Sequence, residues 1–165
     1  MGVLVDDEVS RSVDTLRSRS LGIADAIIAS HDAIDALHLQ IEDRCMHLMA
    51  TQQPVAEDLR MIAAVWAMTI DLDPIADDAE DNARRVRRMA AEPLLKPLID
   101  IPRMADIVGG MLREGLDAFV RRDVALAERV AAADDDVDHL YSQVHRELLT
   151  YMIDDPKTSS VRRTS

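Results

Sequence analysis

Residues 55–91 read VAEDLRMIAAVWAMTIDLDPIADDAEDNARRVRRMAA. The run contains no glycine, and its one proline is Pro74. Ile62, Val65, Thr69, Leu72, Ala76, Ala79, Ala83 and Val86 recur every three or four positions, which is the spacing of one face of an α-helix. The stretch predicts one long helix, Val55 to about Ala91, with a kink near Pro74. At 1.5 Å per residue it would span about 55 Å.

Working outward, glycine and proline mark the breaks. Pro54 suits the first turn of the long helix. Beyond it, Pro93, Pro97 and Pro102 enclose a loop. Helical periodicity returns at Met104 and runs to about Arg121, with Gly109-Gly110 as a weak point. A short helix should start at an Asp123 cap, and another after Asp134-Asp135-Asp136, running to about Ile153. Pro156 ends it, and the basic, Ser/Thr-rich tail is expected to be disordered. On the other side, one helix covers about Asp6 to Arg19. A short one follows Ser20 through Ile28, and a longer one follows Ser30 and His31 to about Thr51.

These parts form an internal repeat. Arg19-Ser20-Leu21-Gly22-Ile23-Ala24-Asp25 lies over Arg122-Asp123-Val124-Ala125-Leu126-Ala127-Glu128. In the same gapless register, Asp32-Ala33-Ile34-Asp35-Ala36-Leu37 lies over Asp135-Asp136-Val137-Asp138-His139-Leu140. Each unit reads as helix, short helix, long helix, turn, long helix. The second stops where its final long helix would begin. The expected fold is all-α: an antiparallel helical bundle of two related repeats, the second incomplete. The expected domains are residues 1–95, residues 96–155 and a tail of residues 156–165.

Composition agrees. Apolar residues make up 48% of the 165 residues and aromatics 2%, so aliphatic side chains and alanine must form the core, as in helical folds. A formal net charge of −12 argues against nucleic acid, whose phosphates require a basic face. Cys45 is the one cysteine, which excludes an intrachain disulfide and fits a reducing compartment. The longest apolar run, Met61 to Ile70, is about half a membrane span. A soluble, cytoplasmic chain without direct membrane insertion is expected.

Ile34-Asp35-Ala36-Leu37 through Glu42-Asp43-Arg44-Cys45, and then Gln52-Gln53-Pro54-Val55-Ala56-Glu57-Asp58-Leu59-Arg60, resemble the PhoU family of phosphate-signalling regulators. Leu149-Thr150-Tyr151-Met152-Ile153-Asp154-Asp155 resembles the matching segment of that family's second repeat. The likeness runs over about residues 10–158. It implies two three-helix bundles related by pseudo-symmetry. It also implies a negative regulator of phosphate uptake and phosphate-responsive two-component signalling. Such a regulator would contact a sensor histidine kinase and a phosphate ABC transporter.

The family carries an acidic metal motif on the third helix of each bundle, Glu-Arg-Ile-Gly-Asp followed by Asn or an acid. Here the matching stretch is Asp73-Pro74-Ile75-Ala76-Asp77, with Glu80 and Asp81 a turn on. The resemblance thus implies a divalent metal (Mg, Mn, Fe or Zn) at Asp73, Asp77, Glu80 and Asp81. From spacing alone, Asp73, Asp77 and Glu80 fall within an arc of about 60° bordering the apolar stripe. Carboxylates one turn apart repel, and a divalent cation relieves that repulsion. The competing reading is a solvated face, with Glu80–Arg84 and Asp81–Arg85 paired one turn apart.

Other features carry less. His31, His38, His47, His139 and His145 do not read as a ligand cluster. Asp35-x-x-His38 and Asp136-x-x-His139 hint at di-iron bundles, but the two copies are out of register within the repeat. Trp66 and Cys45 read as core residues. No phosphate loop, catalytic triad or acid/base pair appears, so no enzyme is expected. Beside the regulator, the alternatives are a cation-storage or buffering bundle and a dimeric scaffold without metal. The missing helix predicts a homodimer drawn mainly from residues 104–153.

Overall fold

The computed structural model describes residues 1–91 and 99–154. Seven helices make up this part: α1 Gly2–Ser18, α2 Leu21–Ser30, α3 Asp32–Gln52, α4 Ala56–Met89, α5 Asp100–Arg121, α6 Val124–Ala132 and α7 Asp134–Asp154. No strand occurs among the described residues. The chain divides into two compact units, Met1–Ala90 and Ala91–Ser165. The Pro93–Pro97 loop and the disordered tail predicted from the sequence lie outside the described residues.

In the first unit α4 is the central element, lying against α1, α2 and α3. Its 34 residues run unbroken through Pro74. Pro74 has no N–H for the Ile70 carbonyl, but Ile70 is exposed, so water can serve that oxygen. The buried face of α4 is Thr69, Leu72, Ala76, Ala79, Ala83 and Val86, six of the eight residues that the periodicity selects. Small side chains at Ala76, Ala79 and Ala83 let neighbouring helices approach closely. Ala24 and Ile27 of α2 pack on Ala83, all three fully buried.

The face that α1 buries is partly polar: Val5, Glu8, Ser12 and Thr15. Two of these satisfy themselves locally. The Ser12 hydroxyl donates to the Val9 carbonyl and that of Thr15 to the Arg11 carbonyl, each at 2.8 Å. Glu8 cannot do so, and it reaches across to the His31 ring instead. The helix starts four residues before the predicted Asp6, because Val5 is fully buried and belongs to its packed face.

The joints between helices are residue-specific. Arg19 adopts a left-handed φ of 54° and ends α1, and the Ser20 side chain then accepts the Ile23 N–H to cap α2. Arg122 at φ 56° and Asp123, accepting from Leu126, repeat this joint between α5 and α6. Pro54 departs from its predicted place. It follows the left-handed Gln53 that ends α3 and precedes Val55, the extended residue before α4. Proline is common there because it cannot continue the helix just ended. Pro102 also differs: it lies in the first turn of α5 rather than in a loop, where its missing N–H has no intrahelical partner to lose. At Gly109-Gly110, where the sequence predicts a weak point, α5 runs on without a break.

In the second unit α5 lies against α6 and α7, and α6 touches α7. The order long helix, short helix, long helix repeats that of α1, α2 and α3. No counterpart of α4 occurs among the described residues. Ala118, Leu140 and Val144 are buried there, whereas Met111, Leu112, Leu116, Phe119, Val137 and Leu148 are only half-buried. No helix among the described residues is long and apolar enough to cross a membrane.

Candidate metal centre

His31 is the single residue between α2 and α3, and its side chain is almost wholly buried, at 8% exposure. Its position follows from the tight junction. The His31 N–H still donates to Ile27 of the helix before it, while the His31 carbonyl already receives Ile34 of the helix after it. The ring is thereby held between α1 and α4. Nδ1 stands 3.4 Å from Glu8 Oε2 of α1. Nε2 stands 3.1 Å from Asp77 Oδ1 of α4 and 3.4 Å from Asp35 Oδ1 of α3. One ligand atom each from His31, Asp35 and Asp77 lie within 4.8 Å of one another.

Two turns further along α3, His38 repeats the pattern. Its Nδ1 is 2.8 Å from Asp73 Oδ1 of α4, and Glu42 Oε2 lies 4.0 Å from its Nε2. The Asp73 contact is short but off the axis that a ring N–H needs for a hydrogen bond. His31 at the start of α3, with Asp35, His38 and Glu42 on it, thus forms one stripe facing Asp77 and Asp73 of α4.

The four acids of the predicted set therefore separate. Asp77 joins His31 and Asp35, and Asp73 joins His38. Glu80 pairs with Arg84 and Asp81 with Arg85, the one-turn pairs of the solvated-face reading, although only Asp81 is solvated and the Glu80 side chain is 14% exposed. Two further arginine contacts hold the end of α4: Arg87 with Asp25 at 3.1 Å, and Arg19 donating to the Met89 carbonyl at 2.8 Å. The histidines correct the sequence reading, because His31 and His38 do gather carboxylates. Glu8, His31, Asp35 and His38 were missed as a group because they come from two separate helices and one helix junction. The signal available was the spacing of residues 31, 35, 38 and 42, one polar stripe on α3.

Electrostatics at His31 are strained toward protonation. Burial alone would lower its pKa, but the hydrogen bond and charge of Glu8, with Asp35 and Glu80, outweigh it and leave it raised above 6.5. Burial raises the Glu8 carboxyl above 4.5, and its contact with His31 offsets this only in part. Glu8 is 2% exposed, and its Oε1 has no hydrogen-bond partner. A buried carboxylate with an unmet oxygen, behind an imidazole whose far nitrogen faces two more carboxylates, is an environment that a cation neutralises. The donor set of one imidazole and two carboxylates fits a divalent metal. Cys45 is buried, with its thiol pKa raised by that burial, and Trp66 is half-buried; both are packing residues on α3 and α4.

Comparison with known proteins gives one answer over nearly the whole chain. Residues 1–86 and 101–165 match the model of the PhoU domain. A protein of Aquifex aeolicus named phosphate-specific transport system accessory protein PhoU homolog is 38% identical over 95% of this chain and 71% of its own length. A Pseudomonas putida protein of the same name is 35% identical over 97% of this chain, which spans 63% of that relative. The crystal structure of PhoU from Pseudomonas aeruginosa superposes with a TM-score of 0.92 at 35% identity, over 97% of this chain and 77% of that one. A phosphate transport system regulatory protein PhoU from Streptococcus pneumoniae gives 0.86 at 26% identity, over 93% of this chain and 72% of that one. In sequence and in helix arrangement, the chain belongs to the PhoU family.

Proposed function

We propose that this chain is an accessory regulator of phosphate-specific transport, restraining phosphate uptake and quieting phosphate-responsive two-component signalling from the cytoplasm. The observation that carries this is the match, over 95–97% of this chain and 63–71% of theirs, to relatives named as accessory proteins of phosphate-specific transport systems. The regulator works by helix-face contacts with a phosphate ABC transporter and a sensor histidine kinase, and by no chemistry of its own. A divalent cation at His31, Asp35 and Asp77, with Asp73 and His38 beside them, ties α3 to α4 and so stiffens the first unit.

Deleting the gene tests the reading. Phosphate-replete cells should then take up phosphate faster and express a phosphate-starvation reporter, and the intact gene should restore both. Unchanged uptake and reporter would overturn the regulatory role. Self-association through α5 and α7 belongs to the same reading, supported by their half-buried Met111, Leu112, Leu116, Phe119 and Leu148. Sedimentation at micromolar concentration should show a homodimer, and a clean monomer would remove it.

A further inference from the structure

Resting on the cation reading of this site, we propose that Glu8 positions the His31 imidazole so that the centre selects a transition metal of the Mn, Fe or Zn class over Mg²⁺ and Ca²⁺. Three observations lead there. First, the two ring nitrogens have different surroundings. Nδ1 faces Glu8, the carboxylate buried between α1 and its neighbours, and Nε2 faces Asp35 and Asp77, which are open to solvent at 52% and 64% side-chain exposure. With Nδ1–H donated to Glu8, the Nε2 lone pair points at the two outer carboxylates, the tautomer that a metal ligand needs.

Second, a cation at Nε2 would lie between the ring and the two outer carboxylates, 3.1 and 3.4 Å from that nitrogen. The Nδ1–H···Glu8 contact is kept, and Asp35 and Asp77 become ligands instead of acceptors. Third, Glu8 Oε1 is buried without a partner. The carboxylate lies behind the ring, and its other oxygen, in contact with Nδ1, raises the basicity of Nε2. Hard Mg²⁺ and Ca²⁺ gain little from an imidazole, whereas Mn, Fe and Zn accept it readily. The equivalent positions of the second unit hold Met111 for Glu8 and Asp134 for His31, so this arrangement is specific to the first.

The test uses the full chain stripped of metal with a chelator, then titrated calorimetrically with Zn²⁺, Mn²⁺ or Mg²⁺ alone. The wild type should bind Zn²⁺ and Mn²⁺ well ahead of Mg²⁺. Glu8→Gln should weaken Zn²⁺ about 10–100-fold and leave Mg²⁺ unchanged. His31→Asp should narrow the Zn²⁺-to-Mg²⁺ ratio at least as far. Nitrogen-15 spectra of the wild type should show His31 Nδ1 protonated and Nε2 metal-shifted on adding Zn²⁺, a readout that does not depend on any variant folding. Binding lost in Asp77→Asn, with the ratio unchanged in Glu8→Gln and His31→Asp, would overturn this proposal alone. So would a zinc shift at Nδ1. No binding by the wild type, or binding untouched by Asp77→Asn, would overturn the cation reading and this proposal with it.

Discussion

The two units share their joints but not their cores. Arg19-Ser20 and Arg122-Asp123 make the same turn, with a left-handed residue followed by a side-chain cap. Beyond that the units diverge. In the first, α4 gives α1, α2 and α3 a common surface, and Ala24, Ile27, Ala76 and Ala83 are fully excluded from water. In the second, α6 buries no residue and the apolar stripes of α5 and α7 stay half-wet. Local geometry is therefore repeated wherever its few residues are repeated. Burial, and the His31 centre with it, requires a further helix.

The sharpest way to break this comparison is to truncate the same repeat position in each unit. Ile27→Ala should cost about 2–5 kcal/mol, because a fully buried side chain leaves a cavity. Val130→Ala, at the matching half-buried position, should cost about 1 kcal/mol or less. Urea unfolding of both variants measures this, and equal losses would mean that the second unit is as well closed as the first.

The caps should behave alike instead. Ser20→Ala and Asp123→Ala should each cost about 1 kcal/mol. Asp123 should cost the more, since its bond to Leu126 N is 2.9 Å against 3.4 Å for Ser20, and its charge favours the helix N-terminus. Thermal melts would show it, and a null effect at either cap would make that joint a product of packing.

A smaller effect concerns pH in the metal-free chain. His31 and Glu8 both titrate above their ordinary values when folded, so the folded state holds their protons more tightly than the unfolded chain does. The contribution of His31 is complete below about pH 6.5 and is lost as pH rises through its raised value. Glu8 contributes in the same sense, complete below about pH 4.5 and lost as pH rises through its own. Stability measured from pH 6 to 8 should therefore fall more steeply in the wild type than in His31→Gln. Identical slopes would mean that the buried ring titrates as it does in the unfolded chain. The smallest effect is expected at Glu80. Its one-turn pairing with Arg84, whose guanidinium is half exposed, is worth about 0.5 kcal/mol or less, and Glu80→Gln should leave cation binding unchanged. A loss of binding there would return Glu80 to the metal set.

Much of the fold was legible in the sequence, because helix faces and joints are written in near neighbours. The stripe from Thr69 to Val86 has the period of one helix face, and that face is buried as read. Ser20 and Asp123 are caps by residue type, and both cap. The start of α1 was misplaced, since a buried face made of Glu8, Ser12 and Thr15 carries little apolar signal. The centre was only half legible. Asp73 and Asp77 could be picked out on α4, and the family likeness pointed to them. Spacing within α4 says nothing of which neighbours approach them.

Sequence by itself thus determined what depends on residues within a turn or two of each other: helix faces, breaks, the repeated joint and the Glu80–Arg84 and Asp81–Arg85 pairs. Tertiary structure alone decided which carboxylates meet a histidine. Glu8, His31 and Asp77 lie far apart along the chain and come within hydrogen-bond reach because α1, the α2–α3 junction and α4 pack on shared small residues. One turn of α4 separates Asp77 from Glu80 and Asp81. All three stay on one side of the helix, but Asp77 stands level with the His31 ring, whereas Glu80 and Asp81 pair with arginines one turn further along their own helix.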